Sequence, residues 1–337
     1  MLRAGKLPAE KLEELVLKAL PEASDVVVGP GIGLDSAVIQ VDGKLLSLTS
    51  DPITGATKDA GWLCVHVCAN DTAASGFMPK WFLNCILLPE GAGVSELSDI
   101  VRGMKEAAAE LGIGVIGGHS EVAPPVKSPV IVGFMVGMLA GPKPTPASAC
   151  KVGDLIVMTK YAGIEGTYIL AKELEEKSEA EVSREAIARG LKLRSQISVV
   201  REGISASRAG LANAMHDPTE GGILCGLWEM AYASGVEIRV DLSRVPVLPE
   251  TAEICRALGA DPLKLIGSGS LLISVPRALC SRLVKLLRGK GINATVVGEV
   301  TSAGEARVVD VRRGIVSPPD QDELFRLIEE GKIGSGG

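Results

Sequence analysis

The chain has 337 residues, enough for two domains of ordinary size, and 46% of them are hydrophobic, so a large core is available. Aromatic residues make up only 3% and the formal net charge is −6. These values exclude a base-stacking RNA binder and a protein that holds nucleic acid through surplus Lys and Arg.

Taken in chain order, the opening MLRAGKLPAEKLEELVLKAL patterns as an amphipathic helix over 8–20, with Leu12, Leu15, Val16 and Ala19 on one stripe. It lacks the apolar core of a signal peptide. Short strands are predicted at 26–28 and 37–41 around a glycine turn, and a third at 45–49 after Asp42-Gly43. An apolar, small-residue helix follows over 60–76, then a strand at 81–88 closed by Pro89. The next helix, 94–112, points Leu97, Ile100, Val101 and Met104 inward, and 114–116 and 130–139 pattern as buried strands.

The run Gly141-Pro142-Lys143-Pro144-Thr145-Pro146 suits neither helix nor central strand. It divides a first domain, 1–142, from a second, 143–331, with a flexible tail at 332–337. In the second domain, strands are expected at 155–159, 236–240, 270–275, 294–297 and 306–311, and helices at 167–176, 184–206, 221–233, 252–258 and 277–288. The fold class is α+β, with two domains and no doubly wound sheet. Seven cysteines scattered through apolar runs fit reduced intracellular thiols. Cys64 and Cys68 have no second pair at zinc-ligand spacing. No run reaches the roughly 18 apolar residues that span a bilayer. A soluble, cytoplasmic protein is expected.

Four motifs concentrate acids among turn-forming residues: GPGIGLDSAV at 29–38, LTSDPITGA at 48–56, ANDTAASG at 69–76 and MHDPTEGG at 215–222. They place Asp35, Asp51, Asp71 and Asp217 in apolar settings. A buried carboxylate is costly unless it is paired or bound to a cation. Mg²⁺ takes oxygen ligands, often one or two carboxylates together with substrate phosphates. The set therefore predicts a magnesium–nucleotide site. Each motif also has a plainer explanation. The glycines at 29, 31 and 33 suit a hairpin turn, and a strand rather than a helix follows Asp35, unlike a dinucleotide fingerprint. Asp51-Pro52 is a common turn opening, Asn70-Asp71 fits a hydrogen-bonded core pair, and Asp217 or Thr219 suits a helix cap. In GGHSE at 117–121, His119 and Glu121 have ligand or acid–base chemistry, or His119 is a hydrogen-bonded turn residue. Gly163-Ile164-Glu165-Gly166 is a further glycine-bounded acid.

The ordered set GxGxD(S/A)AV, T(S/T)D, (A/V)NDxAxxG, GG(H/D/E)(S/T)xV and HDPTxGG resembles the superfamily of aminoimidazole ribonucleotide (AIR) synthase, selenophosphate synthetase, thiamine-monophosphate kinase and the hydrogenase maturation protein HypE. The resemblance runs from Gly29 to Val275, and TSDPITGA, PKWFLNCILLPEG, GIEGT and MHDPTEGG are similar to the HypE-like branch in particular. It implies a homodimer in which first-domain strands form a central β-barrel flanked by helices, with ATP held through Mg²⁺ in a cleft between subunits and domains. By motif match it implies Asp35, Asp51 and Asp71 as metal ligands. Gly31, Gly33, Asn70, Gly117, Gly118, Asp217, Gly221 and Gly222 would lie around the nucleotide. Asp71, His119 and Glu121 are the candidates for the chemistry.

Three departures bear on the expected activity. The last cysteine is Cys280, whereas HypE carries its carbamoyl group on a terminal cysteine; Leu34 and His119 stand where relatives commonly have acids. The expectation is a Mg–ATP-dependent, HypE-like enzyme phosphorylating or dehydrating a small molecule or a group on a maturation partner. The rivals are a non-catalytic nucleotide-binding scaffold and a thiamine-monophosphate-kinase-like phosphotransferase. No nucleic-acid or membrane partner is expected.

Overall fold

The structure, a computed structural model, describes residues 5–21, 23–54, 59–175 and 182–334. Gly55 and Ala56 of the second motif, the end of the helix expected over 167–176, and residues 335–337 of the expected tail lie outside the described residues.

The first half builds a six-stranded sheet from β1 (Val26–Val28), β2 (Ala37–Val41), β3 (Lys44–Thr54), β4 (Phe77–Leu88), β5 (Gly114–Val122) and β6 (Val130–Leu139). Their spatial order is β1-β2-β3-β6-β4-β5. Only the β4–β5 pair is parallel. The sheet is open rather than a closed barrel, with β1 and β5 at its edges. β3 runs through Asp51-Pro52 instead of stopping at Thr49, so Asp51 lies on a strand opposite Gly133 of β6. β5 continues through Gly117-Gly118 beyond the strand expected over 114–116, and every one of its residues is exposed. It pairs with β4 alone, which is why the expected burial fails there.

Helix α1 (Ala9–Leu15) buries none of its residues, whereas all of α2 (Ala60–Ala74) is buried. A helix that is apolar on every side belongs in a core. α2 packs on the sheet through β3 and β6 and against α3 (Val94–Leu111). Gly61 permits that crossing, because a Cβ there would stand 2.0 Å from the Ile100 carbonyl oxygen. α3 turns Ile100 and Met104 inward as expected, but Val101 is 49% exposed. The third side of α2 meets the second half of the chain: Ile164, Tyr168, Leu193 and Ile197 share one core with Trp62, Cys64 and Cys68.

The second half has helices α4 (Ile164–Glu175), α5 (Arg184–Leu191), α6 (Val200–Arg208), α7 (Gly222–Ser234), α8 (Pro249–Leu258), α9 (Cys280–Gly289) and α10 (Glu323–Glu329). Its strands are β7 (Asp154–Thr159), β8 (Ala214–His216), β9 (Val236–Val240), β10 (Leu272–Pro276), β11 (Ala294–Ala303), β12 (Arg307–Asp310) and β13 (Gly314–Val316). They form one sheet in the order β13-β12-β9-β11-β7-β10-β8. Ile333, within the expected tail, is buried beside Leu324 and Leu327. Among the described residues, no helix is long and apolar enough to cross a membrane.

Candidate active site

The four aspartates arrive from four different elements. Asp35 sits in the turn before β2, Asp51 on β3, Asp71 near the end of α2, and Asp217 just after β8. Asp35, His216 and Asp217 each offer an atom within 4.8 Å of the others. Thr49, two residues before Asp51 on β3, ties Asp35 to Asp71: its Oγ1 lies 2.8 Å from both the Asp35 carbonyl oxygen and Asp71 Oδ2. One hydroxyl hydrogen cannot serve both acceptors. Thr49 therefore donates to one of the two at a time and holds the Asp35 turn beside the end of α2.

Burial pushes the Asp71 and Asp217 carboxyls well above the usual range, and neighbouring acids add to it. Asp35 is also raised by burial, against the pull of His216, and Asp51 is pushed up to about 6 by burial. Asp217 is 1% exposed, and neither of its carboxylate oxygens has a hydrogen-bond partner. Such groups are rare in folded proteins and expensive when charged.

His216 was seen in the sequence only as a neighbour of Asp217. Its Nδ1 stands 2.7 Å from Asp35 Oδ1, an ion-pair contact, and its Nε2 stands 2.9 Å from Glu229 Oε2. Burial opposes protonation, but the two carboxylates prevail and raise its pKa to about 10. A charged imidazole has no lone pair to give a metal, so His216 acts as a fixed counter-charge although it lies at ligand distance. Glu229, on α7, is held down at about 2: burial pushes it up, and Lys6 and His216 more than offset this. Lys6 Nζ stands 3.2 Å from Glu229 Oε1, and the Lys6 backbone N–H donates to Glu220 at 2.9 Å. Gly33 permits the approach of the Asp35 turn to α7. Its φ is +74°, and a Cβ there would lie 2.7 Å from the Glu229 Cβ.

Other candidate residues fall into place differently. Gly221 and Gly222 open α7, and the Gly221 N–H donates to Asp322 Oδ2 at 2.7 Å. Gly31 lies in the same turn as Asp35. Asn70 is not free to meet a ligand. Its Nδ2 donates to the Ile197 carbonyl oxygen at 2.9 Å and its Oδ1 accepts from Val199 N–H at 2.8 Å, which satisfies both ends of the amide within the core. Gly118 is opposite Asn84, Asn84 is opposite Gly133, and Gly133 is opposite Asp51. Three strand spacings put Gly118 about 14 Å from Asp51 in the same chain. Gly117, His119 and Glu121 share that remote edge strand, and His119 Nε2 stands 3.2 Å from Glu121 Oε2. Glu165, in the first turn of α4, is buried with its Oε2 unpartnered and is pushed by burial up to about 7.

Hard oxygen donors, with Asp71 and Asp217 buried and both Asp217 oxygens unpartnered, fit a divalent cation. They do not fit a soft-metal site, since no thiol joins the cluster.

Two domain models match the chain: AIR synthase related protein, N-terminal domain, over residues 33–139, and AIR synthase related protein, C-terminal domain, over residues 151–311. The chain belongs to the AIR synthase related family. Among curated relatives it is similar to the carbamoyl dehydratase HypE of Cupriavidus necator, with 30% identity over 89% of this chain and 84% of that protein. A Methanocaldococcus jannaschii protein named for hydrogenase expression and formation is 29% identical over 96% of this chain and 97% of its own length. In fold it is similar to the solved hydrogenase maturation protein HypE in complex with ATP, with a TM-score of 0.70 and 23% identity, covering 96% of this chain and 98% of that one.

Proposed function

We propose that the chain is a Mg²⁺- and ATP-dependent enzyme of the HypE type that activates an oxygen of a small molecule or of a group carried on a partner protein. The observation that carries this reading is Asp217, whose two buried oxygens lack any hydrogen-bond partner beside His216 and Asp35. Asp35, Asp51, Asp71 and Asp217 would hold the metal. The bound Mg–ATP supplies a transferable phosphoryl group with its charge neutralised, and catalysis of that kind is mostly positioning.

The chain's own residues do the positioning. Thr49 locks Asp71 to the Asp35 turn. His216, Glu229 and Lys6 hold that turn against α7 and balance part of the negative charge. The division near residue 142 separates the half that brings three of the acids from the half that brings the fourth.

A homodimer built on the outer face of the first sheet belongs to the same proposal. That face exposes Leu48, Trp81 and Phe134, and its edge strand β5 exposes Val115, Ile116 and Val122. Unpaired edges and apolar patches of this kind invite a partner. Pairing there would close the barrel and give Gly117, Gly118, His119 and Glu121 a second subunit to act on. Light scattering is expected to report a dimer, and Phe134→Glu a monomer. A monomeric parent protein overturns this part alone. All seven cysteines are unpaired, which supports a reducing, cytoplasmic setting.

Calorimetric titration with ATP tests the central reading. Magnesium-dependent binding near one site per chain is expected, absent in Asp71→Asn. No binding with or without Mg²⁺ sinks it.

A further inference from the structure

α6 and α9 build a surface of the opposite sign to the aspartate cluster. Residues 277–298 contain Arg277, Arg282, Lys285, Arg288 and Lys290 and not one acid, in a chain whose net charge is −6. On α6, Arg201 and Arg208 are exposed, while the single acid, Glu202, is buried under Lys160 at 2.8 Å. Arg201 and Arg288 donate to backbone carbonyls, those of Lys290 at 3.1 Å and Ala294 at 2.9 Å. Among the described residues, Arg201, Arg208, Lys285, Arg288 and Lys290 have no carboxylate partner. Unpaired cations usually point into solvent singly; here they rim two adjoining hollows of about 240 and 600 Å³. The floors are aliphatic, with Met78, Val200 and Ile204 in one and Val284 and Val296 in the other.

We propose that this face docks an acidic, aliphatic-bearing segment of a partner protein. Charge complementarity sets the sign of the partner, because five cations without a carboxylate partner among the described residues gain from carboxylates that the chain does not supply. The apolar floors set its second property, since a purely ionic ligand would leave them wet. A nucleic acid fits less well. Neither hollow contains an aromatic side chain on which a base could stack, and the net negative chain repels a long polyanion.

The probe is a fluorescein-labelled helical peptide of about five turns, built from Glu, Leu and Ala, read by fluorescence anisotropy with the full chain. Micromolar binding is expected, weakening about tenfold from low to high salt. The triple variant Arg208→Glu/Lys285→Glu/Lys290→Glu is expected to bind at least about tenfold more weakly at an unchanged melting temperature and with unchanged ATP binding. The milder Arg208→Gln/Lys285→Gln serves if the triple variant fails to fold, and a Gln-for-Glu peptide is expected not to bind. The proposal is overturned if the parent protein ignores the acidic peptide, or if both variants bind it as the parent does. It is equally overturned if single-stranded DNA of equal charge binds more tightly, or if inorganic phosphate displaces the peptide completely.

Discussion

At the start of α2, Asp59 is shared by Lys172 at 2.7 Å, Arg194 at 3.1 Å and the Tyr168 hydroxyl. Near the other end of the same helix, Asp71 has one threonine hydroxyl and the charges of three further aspartates around it. Both clusters join the two halves of the chain, yet they respond to folding in opposite senses. Burial pushes Asp59 up, but its cations and the tyrosine more than compensate and leave its carboxyl below the usual range. Burial and like charge together leave Asp71 far above it. A polar cluster that serves the fold is closed on itself, and one that serves a ligand is short of a charge. The second condition is the one found around Asp71 and Asp217.

The sharpest way to break that contrast is to neutralise one acid at each end. Asp217→Asn is expected to weaken magnesium-dependent ATP binding by about a hundredfold or more. Its unliganded melting temperature should hold or rise, because a buried unpaired acid is removed. Loss of stability with ATP affinity intact would reverse the assignment of the two ends. Asp59→Asn is expected to do the converse. It should cost about 1–3 kcal/mol in urea unfolding, since it removes the charge and one of the two oxygens that Lys172, Arg194 and Tyr168 share, while ATP affinity stays within about threefold.

The smallest effect concerns acid pH at the closed end. His66 packs on Trp62 with ring centroids 3.8 Å apart, and its Nε2 meets Glu110 at 3.1 Å. Burial lowers its pKa from 6.5 to about 4, with Glu110 opposing the shift. Between those values the unfolded chain binds more protons than the folded one. The stability that depends on neutral His66 is therefore full above pH 6.5 and lost as pH falls toward about 4. Urea midpoints across that window should show a slope that His66→Gln reduces. An unchanged slope would assign the acid sensitivity to other groups.

The four aspartates were legible in the sequence because each sits in a local pattern: a glycine turn, an Asp-Pro step, a polar pair in an apolar helix, a turn before a helix. Glu229 and Lys6 left no such trace. Glu229 is one residue in an ordinary helical run, and Lys6 lies in a charged terminal segment, more than two hundred residues before the glutamates it meets. Only the fold gives either a role. Asn70 was legible as half of a hydrogen-bonded core pair but its partners were not, because the backbone of 197–199 that satisfies it lies in the other half of the chain. Strand ends were misplaced where proline or glycine stands within a strand, as at Pro52, Pro79 and Gly117-Gly118, because sheet pairing outweighs local preference there.

The placement of α2 also bears on how the gene can be cut and recombined. The family domains meet between residues 139 and 151, yet the core around Trp62 and Cys68 is completed by Ile164, Tyr168, Leu193 and Ile197. A chimera joined at that linker would face a helix from one parent with a socket from another, and the Asn70 clasp with a foreign backbone. Recombination within the family therefore has to carry α2 and the stretch from α4 to α6 as a single inherited block.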